Sequence, residues 1–382
     1  MPSMMETPAP PALSRMICLS RRRLHSYMKI GFVAALMAAL LSACSPLYIM
    51  RAAYEEGKIL WRREPIANFI ERSDVTPEKQ EKLGLVLAAR EYARDRLDFN
   101  VGGSYASYSY VDRPDLTYLV LAAPKTELRP YTWWFLIVGS VPYKGYFSRA
   151  DAEAEIERLK AKGYDTNLRT SAAFSTLGWF DDPLLSHLLK YDKVLLSEIV
   201  FHELFHNTLY IKGAGAFNES SANFVGHRAA IDFFREKFGD ASAEHQRAIL
   251  LWEEEREFGA FIGDVARELT ALYGRDLSRD DKLRLREEVF GRSKAEWSRR
   301  IADRPLHRFR GFSHQPLNNA VLMHYVVYLK DLDVFESLYV ACGRDLRRTI
   351  DVMRDLVEKK GEPFQVLRAW LDNAGARATA LR

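Results

Sequence analysis

One segment decides most of what this chain can fold into. Residues Lys193–Tyr210 read KVLLSEIVFHELFHNTLY, and Leu195, Leu196, Ile199, Val200, Phe201, Leu204, Phe205 and Leu209 make it apolar on nearly every side. A helix of that kind belongs inside a core. Yet it carries His202, Glu203 and His206 in the pattern His-Glu-x-x-His. Buried polar groups must be paired or bound. Four residues of helix make one turn plus about 40°, so the two imidazoles share a face, about one turn apart. Two rings so placed can hold a single Zn2+ ion at about 2.0–2.1 Å each. Glu203 points about 100° away from His202 and can reach a water beside the ion without displacing it. Chance produces the pattern in roughly one random chain of this length in a hundred. The expected metal ligands are therefore His202 and His206, with Glu203 as the catalytic carboxylate and one Zn2+ as the cofactor.

A hydrolytic zinc site needs a third protein ligand and an open position. The metzincin continuation requires Gly at 209 and His at 212; the chain has Leu209 and Lys212. Downstream, Lys212–Ala216 forms a Gly-rich turn, and Phe217-Asn218-Glu219-Ser220-Ser221-Ala222 opens a second helix. This resembles the N-E-x-x-A signature of gluzincins, whose Glu completes the ligand set. The resemblance makes Glu219 the third ligand, returned beside His206 by an antiparallel helix. Asn218 fits as the helix N-cap. Asn223, one turn further, is a candidate to orient the imidazoles, although thermolysin-type enzymes usually have an acid there. His227, two turns on, falls outside the ligand set.

The 382 residues are 48% hydrophobic and 12% aromatic, ample for a sizeable core. The formal charge of +4 lies wholly in residues 1–43, through Arg15, Arg21, Arg22, Arg23 and Lys29 against Glu6. The body is neutral and has no global field for nucleic acid. From Met28 the chain reads MKIGFVAALMAALLSAC, with a basic start and a twelve-residue apolar run from Ile30 to Leu41. That run is shorter than the roughly 20 residues of a membrane span and fits a signal-peptide core. It ends in Leu41-Ser42-Ala43-Cys44, which resembles the lipobox of bacterial lipoproteins. That resemblance implies lipidation at Cys44 and a lipid anchor in a bacterial membrane. Ser45, rather than Asp, after Cys44 favours the outer membrane, facing the periplasm. Residues 1–27 are Pro- and Arg-rich without periodicity and read as a mis-start before Met28. The expected organisation is a leader over 1–43 and a single metallopeptidase domain over 44–382. Cys18, Cys44 and Cys342 are the three cysteines, so the body has neither a disulfide framework nor a cysteine zinc site. Cys342 reads as a small buried or helix-capping residue before Gly343. No sequence feature sets an oligomeric state.

Along the body, helices are expected over Ala52–Trp61, Ile66–Glu71 and Pro77–Leu97, the last with Thr76 and Pro77 as its start. Leu116–Ala122 and Thr132–Val141 read as strands, with a turn over Pro142–Gly145. A helix capped by Ser148 runs to near Gly163, and a short strand lies near Asn167–Ser171. From Leu184 onward the chain is almost wholly helical. Segments fall at 194–210, 218–238, 243–273, 279–289, 293–302, 317–330, 333–341, 345–359 and 363–372. Glu253–Glu257 and the Arg344, Arg347, Arg348 group read as solvated helix faces. The Thr132–Val141 strand could offer its edge to an extended peptide. Trp179, Asp181 and Asp182, just before the apolar helix, either touch substrate or pack and cap; packing is the expectation. Tyr325, His314 and His324 are candidates for the donor that stabilises the transition state.

A longer resemblance runs through the body. WRREPIANFI, GSYASYSYVDRPDLTYLVLAAP, WFLIVGSVPYKGYF, AFSTLGWFDDPLLS, IVFHELFH and FNESSANF occur in one order. Together they resemble a gluzincin-like family of bacterial lipoproteins described as putative aminopeptidases, over roughly residues 47–370. The resemblance implies an α+β, zincin-like fold: a small N-terminal α+β region, a β-sheet packed on the His-Glu-x-x-His helix, and a mostly helical C-terminal part. It implies a zinc metallopeptidase acting on peptides, with His202, His206 and Glu219 on the metal and Glu203 as general base. A zinc endopeptidase, or a non-catalytic chaperone-like envelope lipoprotein with a relict zinc site, are the alternatives. The intact Glu203 argues against the second.

Overall fold

A computed structural model describes residues 46–112, 117–135, 139–171, 181–359 and 361–380. The leader, Cys44 and Trp179 lie outside them. The chain divides into two compact units, Met1–Tyr54 and Glu55–Arg382. Helix α1 (Pro46–Trp61) crosses that boundary. No helix among the described residues is long and apolar enough to cross a membrane.

The second unit is α+β and mostly helical. Its first part holds β1 (Glu64–Pro65), α2 (Ile66–Ile70), α3 (Pro77–Leu97) and β2 (Ser107–Ser109). Next come β3 (Thr117–Pro124), β4 (Trp133–Phe135), β5 (Gly139–Val141), β6 (Lys144–Tyr146), α4 (Arg149–Ala161), β7 (Tyr164–Ser171) and β8 (Leu184–Leu185). The helical part comprises α5 (Lys193–His206), α6 (Gly215–Phe238), α7 (Ala243–Tyr273), α8 (Arg279–Arg300), α9 (Asn319–Leu329), α10 (Leu332–Ala341), α11 (Leu346–Val357) and α12 (Pro363–Ala380).

Helix starts follow the capping chemistry of the sequence. Thr76 accepts from the Lys79 amide with Pro77 in the first turn, and Ser148 accepts from the Asp151 amide. Cys342 is the buried C-cap of α10, ahead of Gly343 at φ 78°. Two expected helices, 279–289 and 293–302, are one helix, α8. Gly291 between them has no close neighbour and leaves the backbone bonding unbroken.

The strands form three small sheets, in orders β1-β2-β8, β6-β3-β7 and β4-β5. The strand expected over Thr132–Val141 is instead two short strands paired antiparallel, with Trp134 opposite Ser140. Its apolar run holds residues for both arms of a ribbon rather than one long edge. β7 is longer than expected because Tyr164–Ser171 pairs antiparallel along the whole of β3. That sheet does not lie mainly on α5. It packs on α4 and α9, where Ala123 of β3 meets Ala320, Met323 and Val327. The reason is the character of α5: apolar nearly all round, it is enclosed by other helices, chiefly α3 and α6. Phe201 and Phe205 are fully buried, against Tyr92 and Phe99 of the α3 side. Burying one such side chain contributes about 1.5–3 kcal/mol.

The helices α5 and α6 are tightly apposed at Gly226. A Cβ there would stand 3.0 Å from the Glu198 carbonyl oxygen and 3.3 Å from the His202 Cβ. Helix backbones this near leave no room for a methyl group. Gly226→Ala should therefore lower the unfolding free energy by about 1–3 kcal/mol, read as a lower urea midpoint. An unchanged midpoint would mean the two helices are not so tightly apposed.

Candidate metal centre

Asp192 starts α5 by accepting from the amides of Val194 and Leu195 at 3.0 and 2.9 Å. The helix then keeps its register to His206, which places His202 and His206 on one face. The Nε2 atoms of the two rings stand 3.2 Å apart. The chain reverses through Gly213, at φ 82°, and enters α6. Glu219 comes back over both rings, its Oε2 lying 3.4 Å from His202 Nε2 and 3.7 Å from His206 Nε2. Three ligands about 2.0–2.1 Å from one small cation, at tetrahedral angles, stand roughly 3.3–3.4 Å apart. The spacing observed is that of a two-histidine, one-carboxylate cation site, and the three residues form such a group among the described residues.

Tyr143, in the short link between β5 and β6, donates its hydroxyl to Glu219 Oε1 at 3.1 Å. One carboxylate oxygen is thus held by a phenol while the other faces the rings. Burial alone would raise the Glu219 pKa. Hydrogen bonds from the two imidazoles outweigh burial and hold the carboxyl well below the usual range. For His206, burial pulls the pKa down but the Glu219 carboxylate outweighs it, and the net shift is upward. Its Nδ1 is buried without a hydrogen-bond partner among the described residues, a departure from the usual habit of metal-binding imidazoles.

Glu203 lies beside this group rather than in it. Burial raises its pKa, opposed by the neighbouring His202 and His206. Its charge reaches three tyrosines. Tyr143 is pushed well above its ordinary pKa, first by the Glu219 charge and then by burial. Tyr105 and Tyr328 are pushed up first by burial, with Glu203 adding to both and Glu219 to Tyr328. All three phenols therefore keep their protons, available as hydrogen-bond donors. Tyr105 is buried in the left-handed backbone region at φ 59°. Asp181 and Asp182 hold that loop: Gly103 donates to Asp181 Oδ1 at 2.7 Å, and the Tyr105 amide donates to the Asp182 carbonyl at 2.7 Å. Asp181 thus caps the loop through its carboxylate, while Asp182 is buried and holds it through its backbone carbonyl.

Behind the rings is a second polar group. Glu198, one turn before His202, lies 3.1 Å from His227 Nε2. Arg308 lies 2.8 Å from Glu255 and 3.6 Å from Glu198. Burial, with the Glu255 charge adding, pushes Glu198 up to about 7, and burial holds His227 well below its ordinary value. Two readings change here. Glu254 and Glu255 are buried, so Glu253–Glu257 is not a solvated face. Asn223 does not orient an imidazole; it donates to Glu255 Oε1 at 2.8 Å and to the Tyr328 carbonyl at 3.3 Å. His227 stands outside the cation group, as expected.

Two further expectations are corrected or replaced. Asn218 is not the N-cap of α6, which begins at Gly215. Its side chain instead bridges the Ile211 backbone, accepting from the amide at 2.9 Å and donating to the carbonyl at 2.8 Å. Of the expected donors, Tyr325 accepts from Gln315 at 2.7 Å, and His324 feels Glu219 only weakly against burial and Arg169. Tyr143 and Tyr328 are the phenols on which both carboxylates act. Sequence reasoning missed Tyr328; its i, i+4 spacing from His324 on α9 is a signal that could have found it.

Asn218→Ala strips both partners from a part-buried peptide unit at the entrance to α6. It should lower stability by about 1–3 kcal/mol in urea denaturation. An unaltered midpoint would contradict this role.

A family model described as "Putative aminopeptidase" matches residues 47–365 of the chain. Neither a curated protein nor a solved structure matches it.

Proposed function

The chain belongs to the "Putative aminopeptidase" family, and from that membership and the geometry of the centre we propose that it is a zinc-dependent peptidase. The observation that carries the proposal is the convergence of His202, His206 and Glu219 within 3.2–3.7 Å, with Glu203 beside them and outside the group. This is the zincin-like division of labour, in which three side chains hold one Zn2+ and a fourth handles the proton. When bound, the ion supplies Lewis acidity, polarising a carbonyl and lowering the pKa of a water toward about 7.

The chain's own residues supply the rest. Glu203 takes the proton of the attacking water and passes it to the leaving amine, as a general base and then a general acid. Its burial, which raises its affinity for a proton, suits both halves of that cycle. Tyr328, a protonated phenol on which both carboxylates act, is the candidate donor of a hydrogen bond to the oxyanion that forms as the carbonyl is attacked. Tyr143 fixes the rotation of the Glu219 carboxylate. The family description favours cleavage at a free N-terminus. Support for a lipid anchor at Cys44, and with it attachment to a bacterial outer membrane facing the periplasm, comes from the Leu-Ser-Ala-Cys pattern behind its apolar run.

Glu203→Gln should retain the ion and lower kcat by about 10²–10⁴-fold. His206→Ala should lose the ion. Metal analysis of both proteins, beside hydrolysis of free-amine and N-blocked peptides, tests the assignment. Full turnover in Glu203→Gln would refute it, and equal cleavage of blocked peptides would make the enzyme an endopeptidase. Chelation should also lower the melting temperature, because an ion at 10²–10³ times its Kd stabilises the folded state by about 3–4 kcal/mol. Chelator-insensitive melting and inertness toward every peptide would leave the non-catalytic alternative.

A further inference from the structure

Tyr328 belongs to a second neighbourhood as well as the metal centre. With Arg169, Arg308, Gln315, His324 and Tyr325 it lines a pocket of about 420 Å³. Asn223, one turn beyond Glu219 on α6, also reaches its wall. The pocket therefore opens beside the cation group, across a phenol that feels both Glu203 and Glu219.

Its charges do not balance. Glu255 also lines the pocket and is the one carboxylate among the lining residues; it is matched by Arg308 at 2.8 Å, and Arg308 lies 3.6 Å from Glu198. His324 is held well below its ordinary pKa by burial and then by Arg169, so it is neutral at pH 7. Arg169 has no ion pair among the described residues. The groups whose charge acts on it are Tyr325, Tyr328 and Tyr191, none of them a carboxylate. It is nevertheless firmly placed. Arg169 sits in β7 opposite Leu119 of β3. The same strand is fixed through Asp165, which lies 2.8 Å from the Arg286 guanidinium and accepts the Asn319 amide at 3.1 Å. The exposed Arg169 side chain, without an ion pair among the described residues, thus springs from a paired strand and lines a pocket beside the proposed metal centre. Gln315 donates to the Tyr325 oxygen, which leaves the Tyr325 hydroxyl proton for another acceptor.

We propose that this pocket receives a carboxylate of the peptide substrate, held by the Arg169 guanidinium with the Tyr325 hydroxyl beside it. The proposal rests on the peptidase reading above and adds a substrate class: peptides with an acidic group close to the scissile bond. A guanidinium presents paired N–H groups that match the two oxygens of a carboxylate, and the volume admits one residue-sized group. The carboxylate can come from an Asp or Glu side chain or from the C-terminus of a short peptide.

Three matched peptides separate these sources. One has an internal Glu and an amidated C-terminus, one has Gln there and a free C-terminus, and one is neutral at both places. The expected result is a kcat/KM at least about tenfold higher for one or both acidic peptides than for the neutral one. That ratio should fall to within about twofold in Arg169→Gln and be partly kept in Arg169→Lys. Equal rates for all three peptides on the wild type, or a preference that survives Arg169→Gln, would overturn the proposal. If no peptide is cleaved, the peptidase reading fails separately, and the pocket is then judged by binding alone. Titration calorimetry with N-acetylglutamate and N-acetylglutaminamide should show tighter binding of the acid, lost in Arg169→Gln. Equal binding of the two probes would overturn it. Arg169 has no ion pair to lose, so an unchanged melting curve for the variant shows that the fold is intact.

Discussion

The seam between α5 and α6 sets the geometry of everything else. The two helices come together tightly at Gly226, and Glu198, His202, His206, Glu219 and His227 all project from them. Glu198, His202 and His206 project from one helix at one-turn intervals. Glu219 and His227 meet them from the other, at 3.1–3.7 Å. Separating the helices by the width of a methyl group would move Glu219 off the rings and His227 off Glu198 together. The tight turn through Gly213 and the Asn218 bridge to Ile211 fix how soon the chain re-enters the seam.

Such a seam is costly to build. A buried polar group left without a partner costs about 1–3 kcal/mol, and more if charged. The surrounding aromatic core, with Phe201, Phe205, Phe217 and Phe224 all buried, offsets part of that cost. The rest is met by arranging the polar groups against one another. Arg308 meets two carboxylates, Asn223 meets a third contact point, and Tyr143 takes the free oxygen of Glu219. What this leaves on the ring side is a set of three donor atoms aimed at one point, two from imidazoles and one from a carboxylate, with a second acid, Glu203, alongside. That is the arrangement a hydrolytic cation needs, and it accounts for why so apolar a helix carries two histidines and a glutamate at all.

The parts of this that were legible in the sequence are those governed by local periodicity. His202 and His206 share a face because four residues make about one turn, and Asp192, Thr76 and Ser148 announce helix starts through chemistry confined to three residues. Glu219 was legible through the resemblance of Asn218–Ala222 to the N-E-x-x-A signature, not through periodicity. What was missed depends on partners distant in the chain. Nothing near Tyr143 indicates that its hydroxyl will meet Glu219. Nothing near Glu254 and Glu255 reveals that Arg308 and its backbone amide arrive to take them in, so a run of acids read as a solvated face. The ribbon of β4 and β5 was hidden for a related reason: apart from Gly139 and Ser140 its residues are apolar, without the alternation that would mark where one strand ends. The sheet was expected on α5 and packs on α4 and α9 because α5, buried on nearly all sides, is served better by helices.

Metal content, measured on the purified protein by mass spectrometry and paired with X-ray absorption at the zinc edge, tests the central claim most directly. The account predicts one zinc per chain in a nitrogen- and oxygen-only coordination sphere, lost on Glu219→Ala and kept on Glu203→Gln. A protein that folds fully and carries no zinc after purification with the ion present, or one whose zinc survives loss of Glu219 unchanged, would contradict it.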